Sequence, residues 1–171
     1  MFKKKLEELG AELFGAKVED AWEALKVLEE TIPFTETHRK ILIEFGGAVV
    51  FRNGSKFQSD EWSPLSDGEG YLDLGLLYGL AEGKHGLCYL INVYEEQLPE
   101  LLVPIGDSSG GNLICLDNSG AVYFWDHESS EGENGTNRIA DSFDEFFYRL
   151  ETEQDMGDSE GIDESRTWFD F

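Results

Sequence analysis

The sequence predicts an α+β domain, with a central, mainly antiparallel sheet and helices packed around it. Three observations lead there. Apolar residues recur at helical spacing through the first 45 positions, and short strand-like segments with turn signals cluster between residues 47 and 126. One further amphipathic helix then closes the pattern near residue 142. Helices, then strands, then a helix indicate segregated elements rather than alternating βαβ units.

Leu6, Leu9 and Leu13 lie among charges over residues 2–14, which predicts a short amphipathic helix weakened by Gly10. Next, Val18, Ala21, Trp22, Leu25 and Leu28 share one face of a second helix. Ile32-Pro33 ends it, because a proline disfavours helical backbone in the residue before it. Thr35 can cap a third helix carrying His38, Ile41, Leu42 and Phe45, and Gly46-Gly47 stops it.

The period then changes. "AVVFRNGSKFQ" reads as a hairpin, since Asn53-Gly54 is the preferred type I′ pair. Residues 58–70 are polar and turn-rich, an exposed loop carrying Trp62. "YLDLGLLYGL" reads as a strand or a strand-to-loop segment, and Leu87, Leu90, Ile91, Tyr94 and Leu98 return to helical spacing. Strands are expected at 101–105, 112–117 and 121–126, the last two joined at Asn118-Ser119-Gly120. Ser142 with Glu145 makes a capping box for a last helix, whose apolar face is Phe143, Phe146, Phe147 and Leu150. Residues 1–150 are expected to form one domain and 151–171 an acidic tail.

Composition narrows the function classes. At 40% hydrophobic and 13% aromatic, the 171-residue chain has the makings of a core. No apolar run approaches the roughly 20 residues of a membrane helix, and "MFKKKLEELG" lacks the apolar stretch of a secretory signal. Cys88 and Cys115, the two cysteines, fit a reducing compartment, so a cytoplasmic location is expected. The net charge of −23, from 36 acidic and 13 basic residues, argues against nucleic acid and would steer a basic partner to the surface.

"IGDSSGGN", residues 105–112, is one serine longer than the sequence around the nucleophile of chymotrypsin-like proteases. A serine nucleophile needs a general base and a group to orient it. Of the three histidines, His38 lies on an apolar helix face, His85 in a turn-like stretch, and nothing in the sequence places His127 against Ser108 or Ser109. A turn accounts for every residue: Asp107 can bond the backbone ahead, and Gly110-Gly111 permit positive φ. Asp126-His127-Glu128 offers three possible metal ligands, but on a strand alternate side chains diverge. No metal, cofactor or catalytic residue is therefore expected. The phosphate-loop reading fails for want of a lysine and a following helix.

Several segments in order resemble the SUKH superfamily: Ile32-Pro33, Phe45-Gly46-Gly47, Ile105 to Asn112, Cys115 to Asp117, Val122 to Glu128, and Ser142 to Phe146. The resemblance covers residues 18–150. It implies an α+β fold with a largely antiparallel sheet and, for bacterial members, immunity proteins that bind a partner toxin, often a nuclease. Fungal members resemble scaffolds of cell-wall synthesis and signalling. The first reading is thus an immunity protein that neutralises a basic toxin domain, and the second is an intracellular scaffold. A hydrolase is the third, carried only by the serines.

The expected partner-binding residues are Asp60, Glu61 and Trp62, because an exposed ring among carboxylates is the usual anchor for a basic partner. Trp62 covering the core edge is the alternative. Asp126, Glu128, Glu131 and Glu133 form a second candidate patch. The acidic tail ends in Trp168, Phe169 and Phe171, which are expected to dock in an apolar groove on this domain or on a second copy; a frayed terminus is the alternative. Leaving a Phe-sized side chain in water forfeits about 1.5–3 kcal/mol. Deleting residues 166–171 is therefore expected to lower the melting temperature or change the oligomer mass. If neither changes, the aromatics dock nowhere.

Overall fold

The computed structural model describes residues 1–129 and 135–153. Glu131 and Glu133 lie outside the described residues, as does the tail end with Trp168, Phe169 and Phe171.

The first helix, α1 (Phe2–Leu9), is shorter than its apolar spacing predicts. Gly10 takes a left-handed φ of 65° and closes the helix, with its N–H on Glu7 O at 3.0 Å. Residues expected to continue it instead form strand β1 (Ala11–Lys17), with Leu13 exposed. Helical propensity there loses to the hydrogen bonds offered by β2 (Gly47–Phe51), which pairs antiparallel with β1.

Helix α2 (Ala21–Glu29) starts at Asp20, whose carboxylate accepts from Glu23 N at 3.0 Å. Leu25 and Leu28 are buried, but Trp22 is 71% exposed, contrary to its expected place on the apolar face. At 100° per residue Trp22 sits well to one side of the stripe through Ala21, Leu25 and Leu28. In α3 (Glu36–Phe45) Thr35 is the N-cap, yet its hydroxyl makes no cap bond. Asp144 of the last helix supplies a carboxylate to Thr37 N at 3.3 Å instead. Gly46 stops α3 in the left-handed region at φ 63°. Gly47 is needed for closeness: a Cβ there would fall 2.2 Å from Ala16 O.

Strand β3 (Lys56–Gln58) does not pair with β2, so the expected hairpin is absent. Both edges of β2 are occupied, by β1 and by β5 (Leu76–Leu77), while β3 pairs with β4 (Tyr71–Asp73) in a separate two-stranded sheet. Gly54 is left-handed at φ 74° but Asn53 is not, so the turn is not the type I′ that directs a hairpin. Asn53 is held instead by α1, its side chain donating to Glu8 O at 2.8 Å.

Helix α4 (Leu87–Tyr94) precedes β6 (Val103–Ser108), β7 (Asn112–Leu116), β8 (Val122–Trp125) and β9 (Thr136–Ala140), and α5 (Phe143–Arg149) closes the fold. The large sheet has seven strands in the order β1-β2-β5-β6-β7-β8-β9, every neighbouring pair antiparallel. The α+β expectation therefore stands. Strand β9, unforeseen in the polar "TNRIA", buries only Ile139 and Ala140. Phe124 and Trp125, neighbours on β8 that leave opposite faces, are both buried, so β8 is covered on both sides. Tyr94 of α4 meets Trp125 edge-on at 6.1 Å.

Helix α5 turns an aromatic face into the core. Phe143, Phe146, Phe147 and Leu150 are fully buried, as their spacing predicts. Ser142 Oγ accepts from Glu145 N at 3.1 Å, while Glu145 Oε2 accepts from Asp141 N, one residue before the cap. His38 stacks on Phe143 at 4.0 Å and lies edge-on to Phe34 at 4.8 Å. Among the described residues neither of its ring nitrogens has a hydrogen-bond partner.

Burial in that aromatic sandwich, partly offset by the charge of Asp144, lowers the His38 pKa to about 3. The unfolded imidazole takes a proton near pH 6.5 and the folded one resists it. His38 therefore contributes stability that is present above pH 6.5 and is lost as pH falls toward 3, on the order of 1.4 kcal/mol per pH unit. Denaturant titrations of the parent and His38→Phe across that interval should show the variant lacking this slope, whatever its stability at neutral pH.

Candidate protein-binding surface

The protease-like segment lies where the two sheets meet. Strand β6 runs on through Gly106, Asp107 and Ser108, further than the expected 101–105, so only Ser109–Gly111 form a turn. Asp73, the last residue of β4, accepts from Ser108 Oγ at 3.0 Å, from Ser109 Oγ at 2.8 Å and from Ser109 N at 3.1 Å. Both hydroxyls thus fasten the small sheet to the large one. Asp107 approaches the same junction; burial, helped by the charge of Asp73 and opposed by a hydrogen bond from Leu76, raises its pKa to about 6.

His127 does reach this turn, but not the serines. Its Nδ1 lies 3.0 Å from Asn112 Oδ1, and Asn112 Nδ2 donates to Ser109 O at 3.0 Å. Among the described residues no histidine bonds either serine hydroxyl, and the acceptor of both is the Asp73 carboxylate. His85 packs edge-on against Phe14 at 5.1 Å.

Asp126-His127-Glu128, three possible metal ligands in a row, lies beyond the end of β8, in a turn rather than on the strand. Asp126 Oδ1 accepts from Glu128 N at 2.9 Å, which commits that carboxylate to the turn, while the Glu128 side chain is exposed. Among the described residues no group of three potential ligands is placed to hold a metal ion.

The loop carrying Trp62 is pinned along the outer edge of β9. Asp60 N donates to Ile139 O at 3.1 Å, Glu61 N to Arg138 O at 3.0 Å, and Asn137 Nδ2 to Trp62 O at 2.9 Å. Both flanking carboxylates are used internally. Asp60 pairs with Arg149 at 3.0 Å, and Glu61 Oε2 accepts from Arg138 N at 2.8 Å. Further on, Asp67 accepts from Tyr71 N and Glu69 N, and these bonds hold its carboxyl below the usual range. Trp62 itself is 76% exposed and so does not cover the core edge. Among the described residues the two expected patches thus offer an exposed ring on a held loop, the exposed but already bonded Asp60 and Glu61, and the exposed Glu128 beyond the end of β8.

Sequence reasoning did not single out Tyr89, Val93 and Leu101, which are also exposed. Tyr89 and Val93 are four apart on α4, off the stripe of Leu87 and Leu90, a signal that helical spacing carries.

Residues 16–149 match the model of the SMI1 / KNR4 family (SUKH-1). Over 154 residues the chain is 36% identical to a protein of Bacillus subtilis (strain 168) named "SPbeta prophage-derived uncharacterized protein YokK", across 81% of this chain and 78% of that protein. The matched span contains the whole Asp73–Ser108–Ser109 junction.

Because both serines share one acceptor, their contributions should not add. Asp73→Ala is expected to cost about 1–3 kcal/mol of stability, and adding Ser108→Ala and Ser109→Ala to it should cost little more. Strictly additive losses in chemical denaturation would mean that Asp73 does not serve both.

Proposed function

This chain belongs to the SMI1/KNR4 family (SUKH-1), and on that premise we propose that it is a protein-binding module of the immunity type, which neutralises a partner toxin by direct contact. A net charge of −23 suits a basic partner such as a nuclease, whose cleft must attract phosphates. The acids draw the partner in and favour correct encounters, while desolvated rings hold it.

The observation that carries the choice of surface is Trp62. Its ring is exposed, and its loop is held by backbone bonds to β9 and by the Arg149 and Arg138 contacts. An anchor that is rigid before binding loses little conformational entropy on binding. Asp60 and Glu61 act chiefly by shaping that loop, and Glu128 adds exposed charge at the end of β8.

The test is a toxin gene beside this one and protection from it: cells expressing a toxin domain found there should grow when this protein is co-expressed. Trp62→Ala is expected to weaken binding tenfold or more, about 1.4 kcal/mol, at an unchanged melting temperature. The association rate should fall with added salt. Full affinity in Trp62→Ala places the contact elsewhere, and a bound partner without protection replaces immunity with a scaffold role.

A further inference from the structure

We infer that α4 and the turn after it, from Cys88 to Leu101, form a docking face for a protein segment that is both apolar and cationic. The inference rests on the reading of the chain as a protein-binding module and names a second contact face.

Three features of this segment work against folding; such a partner offsets the first two and uses the side chain that the third holds in the open. Helix α4 has no charged residue from Leu87 to Tyr94, although the chain carries −23 overall. While Leu87 and Leu90 are buried, Tyr89 and Val93 lie one turn apart and exposed. Next, Glu95 is the C-cap and Glu96 follows it, with no basic residue in the last turn. Carboxylates at that end oppose the helix dipole, whose negative pole lies there. Finally, Leu101 has a φ of +70°, the one non-glycine in the left-handed region among the described residues, and is 62% exposed. A Cβ makes that conformation costly, and strain of this kind persists where a site requires the side chain.

Charge decides the occupant. Glu95, Glu96 and Glu100 are exposed, and among the described residues none of them forms an ion pair. They differ in this from Asp60, Glu61 and Asp67, whose carboxylates are already hydrogen-bonded within the fold. Lysines or arginines of a partner would meet these free acids and the negative end of α4 together. Its apolar centre would cover Tyr89, Val93 and Leu101. A second copy fits poorly, because it would bring the same three acids face to face.

The experiment uses the full chain, followed by amide NMR during titration with an amphipathic helical peptide built only of leucine and lysine. Shifts are expected to concentrate over residues 88–101. Leu101→Gly should relieve the backbone and raise the melting temperature by about 2–4 °C, yet weaken peptide binding about tenfold. Val93→Ala should weaken binding without moving the melting temperature much, and Glu95→Gln should lower affinity mainly at low salt. A gain in stability with a loss of binding is not what a merely structural leucine would produce.

Shifts spread evenly over the acidic surface would overturn the inference, since charge alone would then explain binding. Shifts confined to residues 59–70 would overturn it while supporting Trp62. Shifts at 88–101 with none at Trp62 would leave it standing and remove Trp62 from the contact. A dimer by ultracentrifugation that Tyr89→Asp dissociates would assign the face to a second copy and overturn it.

Discussion

The aromatic face of α5 is the contact on which the rest of the fold depends. Phe143, Phe146 and Phe147 are fully buried, and each ring reaches a different part of the chain. Phe147 meets Phe2 of α1 at 5.9 Å, Phe143 stacks on His38 of α3, and Phe146 lies edge-on to Phe57 of β3 at 5.1 Å. One short helix thus joins the N-terminal helices to the small sheet. Aromatic pairs add about 0.5–1.5 kcal/mol each beyond the area they bury, so truncating one ring disturbs several elements together. His38 is part of this wedge, and its unpartnered nitrogens are the polar cost of a site shaped for rings.

A second fastening, at the far edge of the small sheet, explains the protease-like segment. Ser108 and Ser109 donate to Asp73, and Asn112 turns toward His127 and the carbonyl of Ser109. In "GDSSGGN" the two serines join β4 to β6, Asn112 ties the turn after β6 to His127, and the Asp107 carboxyl takes a hydrogen bond from Leu76 of β5. The likeness to a nucleophile motif reflects shared needs of tight turns, namely small residues, short polar side chains and glycines.

With both sheets fastened, the proposed binding falls to what projects from them. The Trp62 loop is tied to β9 and α5 through its acids, whereas among the described residues the acids at the end of α4 form no ion pair and stand beside exposed apolar residues. A basic partner could use the two differently. A rigid ring contributes desolvated area at small entropic cost, and free carboxylates contribute attraction that salt screens.

The sequence by itself determined the elements whose signals are local. Helical spacing marked α2, α3, α4 and α5, the Ser142–Glu145 pair marked the start of the last helix, and Gly46 marked the end of the third. The ordered segments from Ile32 to Phe146 were enough to indicate the family. Tertiary structure decided whatever required knowing a distant neighbour. Residues 11–17 became a strand because β2 offered an open edge, and "AVVFRNGSKFQ" failed as a hairpin because β1 and β5 had taken both sides of β2. Asp60 and Glu61, which read in sequence as free acids beside Trp62, are already bonded because Arg149 and the amide of Arg138 lie next to them in space. Spacing along a chain reports the face of one element, but strand pairing and the partner of a charge are set by distant groups, as Asp144 lies 107 residues from Thr37 and the carbonyl of Leu150 lies 145 from Lys5.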